Sequence, residues 1–581
     1  MLLVLAGWLL LALTTTTIGW TAWRGLTARY PTAPALPFEL LSLSGIALLL
    51  AVLAPLSLVL PIGPAVQAAL GFGVAALLLG QRRALVAAAG HWKTTVTWAS
   101  AAWWAGAALL GLLGLNLLLR DQAGSRNPDA QLYYLQTLQW ITDYPAVPGL
   151  GNLHGRLAFN SHLFLVTALF RLPTPTGNYY PLPPYLATLL AVAAVRGLVR
   201  GLTGPARSRT GWALAGLVLF FVFLYLFQTW LASPAPDYVL VVWLCLLLLF
   251  YSRFFGPYPI RGRADRPVLL LLVLLSCVAV TIKLSALPIL LLPVHALWVA
   301  GRRGDTGSLR RWVGPAALAG LLLLPWVGRN LVLSGYPVYP LVGLPGLPVD
   351  WKMPAALVQT EQRLIINMAR QMAPADWYGP VAAHWQQWLP AWWQQQISQP
   401  AVALPLLLAA IAPLVVGWRI WRRPALGQTA ASPGWLSAWL VAVAGSAFWL
   451  LLAPDYRFGL GFLLLMAGGP WFSLPASRRV IWLMLVLGAA GALHLLREPV
   501  YGLRHPIPGA VSAVVWPVLP PLPPTVIQRL PDGQLVHVAQ AQGACGETAL
   551  PCTHAIEPGL ERRGESLGQG FRIRPTAQPS H

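Results

Sequence analysis

Apolar stretches of membrane-spanning length recur along the chain, near residues 2–22, 38–61, 65–80, 96–118, 182–197, 211–231, 237–254, 267–282, 284–300, 313–331, 402–418, 434–453, 458–474 and 480–496. Each predicts an α-helix that hides its own backbone hydrogen bonds in lipid. Three longer polar stretches interrupt the rhythm, 119–181, 332–401 and 498–581. The short alternating segments of an outer-membrane barrel do not occur. The first stretch, "MLLVLAGWLLLALTTTTIGW", has no basic leader and no clear small-residue cleavage site, so it reads as a retained helix. The expected fold is an all-α polytopic membrane protein of about fourteen spans.

Composition agrees with that pattern. Of 581 residues, 57% are hydrophobic and 10% charged, and the mean hydropathy is +0.63. The formal net charge of +22 would suggest nucleic acid in a soluble protein. Here the cations fall in alternate short loops: Arg24 and Arg29, Arg82 and Arg83, Arg196 to Arg209, Arg253 to Arg266, Arg302 to Arg311, Arg419 to Arg423, and Arg478 with Arg479. Such a bias marks cytoplasmic loops, so the charge sets topology and nucleic acid is excluded as a partner. Both termini and the three long segments are then expected on the exported side.

The first long segment carries the candidate chemistry. Asn127-Pro128-Asp129 makes a turn, and Asp129 opens an amphipathic helix with Leu132, Leu135 and Leu138 on one stripe. Asp129 reads either as a helix N-cap or as a functional acid; Asp121 and Asp143 share that ambiguity. Downstream, "YPAVPGLGNLHGRLAFNSH" (144–162) concentrates glycine with polar donors. Gly149, Gly151 and Gly155 let the backbone turn and approach a ligand, while Asn152, His154, Arg156 and Asn160 offer donors. An ordered, polar, membrane-adjacent segment of this kind reads as a binding site.

Three cations run against the orientation bias. Lys283 in "TIKLS", Arg329 in "WVGRN" and Arg457 in "APDYRFG" all lie at outer span ends. They either snorkel to headgroups or share an anionic ligand such as a phosphate. In the second segment, Trp385, Trp388, Trp392 and Trp393 suggest an interfacial belt, with sugar stacking as the other reading. The tail enters through "VLPPLPP" and continues through "GQLVHVAQA", a predicted short strand. Cys545 and Cys552 are expected to form a disulfide in an oxidising compartment; His554 alone does not make a metal site with them. Cys245 and Cys277 lie inside spans and read as packing residues. No Walker A loop, Rossmann fingerprint or HExxH motif occurs, so direct use of ATP is not expected.

One helix, a long exported segment with an early acid, and then many short-looped spans resembles the GT-C superfamily of membrane glycosyltransferases. "TIKLSALP", "PWVGRNLVLSGYPVYP" and "APDYRFGLGF" are similar to outer-face motifs of its bacterial relatives. "DAQLYYLQTLQWITDYPAVPGLGNLHGRLAFNS" and "LPCTHAIEPGLERRGESLGQGFRI" resemble an uncharacterised family of bacterial multi-pass membrane proteins, over most of residues 96–574. The resemblance implies a GT-C-like module at 96–497 with an exported tail at 498–581, and the extra transmembrane helices at 1–95 depart from the family's layout. It implies a polyprenyl-phosphate-linked sugar donor and an envelope glycan, lipid or protein as acceptor, in the bacterial inner membrane. The early acid would be Asp129, with Asp121 second, and Lys283, Arg329 and Arg457 would hold phosphate. His154, Arg156 and Asn152 would contact substrate. No cofactor is certain, and a divalent metal at the early acid stays open. These enzymes often pair their acids, whereas "NPDAQ" has one. A transporter or flippase of lipid-linked glycan, or a non-catalytic assembly protein, are the alternatives.

Overall fold

The computed structural model describes residues 1–30, 33–84, 100–125, 127–203, 210–227, 230–255, 266–302, 310–422, 433–472, 477–504, 515–540 and 543–574. The loop arginines at 206–209, 261–263, 303 and 423 lie outside them.

Every apolar stretch falls on a helix, from Leu2–Thr27 to Arg478–Leu495. Eight of the helices among the described residues are long and apolar enough to cross a membrane, by length and composition. Five shorter apolar helices accompany them, including Pro64–Gly80 and Arg266–Ile282. The stretch at 284–300 differs from a plain α-helix. Its first part, Leu284–Leu290, is a 3-10 helix containing Pro288, which has no N–H to donate and so disfavours regular α-helical bonding there.

Helices pack by close backbone approach as well as by side chains. Leu2–Thr27 and Phe38–Leu56 form an antiparallel pair. A Cβ on Gly45 would sit 1.9 Å from the Thr15 carbonyl oxygen, so only glycine permits that contact. Across the same seam Thr15 Oγ1 bonds Ser42 Oγ at 2.7 Å, and Ser42 bonds the Tyr185 hydroxyl at 2.8 Å.

The long polar segments gather at one end of this bundle. The first holds a helix running through Asp143, a short helix Leu150–Leu153, a 3-10 turn Gly155–Ala158, the helix Leu163–Leu169 and a hairpin of Leu172–Thr174 with Gly177–Tyr179. The tail forms a three-stranded sheet, Thr525–Arg529 antiparallel to Leu535–Ala539, which pairs in parallel with Cys552–Thr553. Cys545 and Cys552 are joined by a disulfide.

The tail docks on the first segment. Cys545 N and Gly546 N donate to Gln131 O, at 3.0 and 2.7 Å, and Gln136 Nε2 donates to Thr548 O at 2.7 Å. Phe571 N donates to Pro148 O at 3.0 Å. Gly149 makes this docking close. Its φ is +64°, and a Cβ there would lie 2.2 Å from Phe571 O.

Candidate functional site

Asp129 begins the first-segment helix but does not cap it. Asn127 does: its Oδ1 accepts the Asp129 N–H at 3.0 Å, and its Nδ2 donates to Ser233 Oγ at 3.1 Å. Pro128 then occupies the first helical position, where a missing N–H costs nothing. The next turn, Ala130–Tyr134, is π-helical. Such turns break the regular 3.6-residue spacing, and they are frequent at functional sites.

Relieved of capping, the Asp129 carboxylate faces two arginines. Arg156 Nη1 lies 3.2 Å from one oxygen and Arg457 Nη1 3.6 Å from the other. The three side chains are each about a fifth exposed, so the pairs are screened by few waters. Arg156 also lies over the Tyr133 ring, at 5.7 Å.

Arg457 starts the helix Tyr456–Phe472 and is braced by Asp455, with Nη2 to Oδ2 at 2.8 Å. Its guanidinium lies 5.3 Å from the Trp230 ring and 5.6 Å from the Phe458 ring. Lys283 approaches the same Phe458 ring at 3.6 Å and pairs with Asp237. Three cations, three acids and their aromatic supports thus form one cluster, drawn from five separated parts of the chain.

Other expected members lie elsewhere. Arg329 does not join Lys283 and Arg457. It is buried, and its Nη1 donates to the Ser57 carbonyl at 3.3 Å and to Ser57 Oγ at 3.0 Å. Ser57 is the C-cap of Phe38–Leu56, so the guanidinium sits against the negative end of a helix. Arg329 is therefore a strut between two helices. Asp121 does not join either: it is buried, bonded by the Tyr179 hydroxyl and, at 3.2 Å, by Trp8 Nε1. Asn152 braces three segments, its Nδ2 donating to Trp351 O at 2.9 Å and to Phe571 O at 3.2 Å.

His154 borders the cluster from the tail side. Its Nδ1 accepts the Arg156 N–H at 3.1 Å, so the neutral ring carries its proton on Nε2. Its ring centroid is 4.4 Å from that of His554. Burial, the His554 ring and Arg156 together push His154 well below the usual histidine range. Glu361, from the helix Ala355–Ala369, closes over Gly155; burial raises its carboxyl and Arg156 partly opposes that. Among the tryptophans, Trp388 and Trp392 are buried and Trp392 meets Trp449, while Trp385 and Trp393 are exposed.

Asp237, Asp455, Glu361 and Phe458 were not singled out from the sequence. One signal was there: Ala-Pro-Asp-Tyr occurs twice, at 235–238 and 453–456, each time at a helix start. Among the described residues, no three His, Cys, Asp or Glu side chains gather as a metal site would need. Asp129 and Asp237 are both engaged by cations, so the cluster does not suit a divalent ion.

No curated protein and no solved structure matches the chain. One family does, described as a domain of unknown function, over residues 1–464, a span that takes in the N-terminal helices and every member of the Asp129 cluster. The chain belongs to this DUF8201 family.

Proposed function

We propose that the protein is a GT-C-type glycosyltransferase of the bacterial inner membrane, with both termini exported. It would transfer a sugar from a polyprenyl-phosphate donor to an envelope glycan, lipid or protein. The observation that carries this reading is the Asp129 carboxylate held between Arg156 and Arg457, with Lys283 beside the Phe458 ring that Arg457 also approaches.

The chemistry follows from charge exchange. A lipid-linked phosphate competes with Asp129 for the arginines, because guanidinium groups bind phosphate in bidentate fashion. The carboxylate so released accepts the proton of the acceptor hydroxyl. The acceptor oxygen bonds to the anomeric carbon. The bond from that carbon to phosphate oxygen breaks, and its electron pair leaves on the phosphate. Arg156, Arg457 and Lys283 stabilise this growing negative charge. A donor anchored in lipid places the reaction at the membrane surface, the level of a helix-end cluster.

Transfer from a radiolabelled polyprenyl-phosphate sugar to envelope acceptors tests the reading. Activity in membranes holding the native chain, lost in Asp129→Asn, is the expected result. Equal transfer by both proteins would end the proposal.

A further inference from the structure

A second cleft opens on the opposite flank of the π-helical turn that follows Asp129. Ala130 and Gln131 line it from that turn, Tyr179 and Tyr180 from the hairpin, and residues 517–522 of the tail close it. Its space is about 660 Å³, a figure that includes the open mouth.

The polar groups of this cleft are of one kind. Asp121 is 1% exposed, and its Oδ1 makes no hydrogen bond within the protein. Gln131 Oε1 is likewise buried and unbonded. Glu547 adds a second carboxylate, held in place by Asn178 Nδ2 at 3.1 Å and the Tyr180 hydroxyl at 3.0 Å. Among the described residues, no arginine or lysine lines the cleft. Two unbonded buried oxygens, on Asp121 and Gln131, with no arginine or lysine in the lining, suit an uncharged ligand that hydrogen-bonds to them. The tyrosine rings and the prolines 517, 520 and 521 offer apolar surface around them.

Hydroxyl donors on an apolar ring face describe a pyranose. We propose that this cleft binds an uncharged sugar ring, and that it is the acceptor subsite for transfer at Asp129. Its role as acceptor site rests on the glycosyltransferase reading; its sugar chemistry does not. The two flanks of one helical turn then divide the substrates by charge. The arginine side takes the donor phosphate, and the acidic side takes the neutral acceptor. The tail, by walling the cleft, becomes part of the binding site.

The test uses the full chain in lipid nanodiscs and saturation-transfer NMR. The probes are the methyl glycosides of glucose, galactose and N-acetylglucosamine, with glucose 6-phosphate as the anionic control. Signals are expected for at least one neutral glycoside and not for the phosphate ester. Gln131→Met keeps the side-chain length and removes the acceptor. It should weaken binding about tenfold, as the loss of one well-made hydrogen bond does. Leu519→Trp should block the cleft, and it guards against a folding defect in the first variant. No neutral glycoside bound, glucose 6-phosphate preferred, or binding unchanged in both variants would overturn the proposal. Glycoside binding together with no transfer by the native chain would remove the glycosyltransferase reading and keep the sugar site.

Discussion

Lys283 and Arg457 meet at one ring, that of Phe458, with the ammonium 3.6 Å and the guanidinium carbon 5.6 Å from its centroid. Two cations lie close to one aromatic ring without repelling each other apart because each has its own carboxylate, Asp237 and Asp455. The ring's electron-rich face adds to that balance. An anionic ligand would find both charges already side by side.

The pairing of Lys283 with Asp237 gives a first prediction. Asp237 is nearly buried, with a side chain 6% exposed. Asp237→Asn alone, or Lys283→Met alone, leaves an uncompensated charge, whereas the double variant leaves none. Each single change should cost more stability than the two together, with a coupling of about 1–3 kcal/mol. Thermal unfolding of the four proteins measures it; additive effects would show that the pair is not coupled.

Separating capping from chemistry is the second test. Asn127→Ala removes the cap and should cost about 1 kcal/mol. Asp129→Asn leaves the cap in place and removes the negative charge between Arg156 and Arg457, so transfer should fall by a factor on the order of 100 or more, beyond any loss of melting temperature from the broken ion pairs. Full transfer by the Asp129 variant would return Asp129 to a structural role.

Acid should weaken the packed polar segments. His154 and His554 are both pushed below the usual value of 6.5, and His162 is pushed to about 3, chiefly by burial. A histidine with a lowered folded pKa binds more protons when unfolded. Its full contribution is present above pH 6.5 and drains as pH falls toward the folded value. His154 and His162, both buried, should each cost about 1.4 kcal/mol per pH unit in that window. His162→Asn should flatten the slope measured by unfolding between neutral pH and pH 4, and stability that rises on acidification would contradict the sign.

The disulfide closes a loop of sequence separation 7. Chain-closure entropy puts its contribution at about 2–3 kcal/mol. Cys545→Ser should lower tail stability by that amount and raise exchange of the amides in Leu535–Ala539. Protection unchanged by the substitution, or free thiols in protein isolated without reductant, would refute it.

Orientation can be read with reporter fusions. Fusions after Arg207 and after Gly564 should report opposite sides of the membrane, because the arginine-rich loops alternate with the long segments. The same side for both would remove the expected topology.

Apolar patterning was enough to place the long apolar helices, because a stretch that must satisfy its backbone in lipid has one regular solution, and that demand is local; the helices of the polar segments, such as Ala355–Ala369, carry no such signal. Asn-Pro-Asp even carried its capping answer, with Asn ahead of a proline at the first helical position. The cluster was legible only in part. Asp129, Arg156, Lys283 and Arg457 could be marked as unusual from the residues around them, but Arg329 carried the same marks and went to a helix end instead. Outer-end cations look alike in one dimension. Which of them meet depends on how helices far apart in the chain pack, and on which carboxylate or carbonyl that packing brings within reach. Tertiary structure alone joined Asp237 to Lys283, folded Glu361 over Gly155 and laid the tail along Gln131. A buried charge needs a partner wherever it ends up, and only the packed bundle determines where that is.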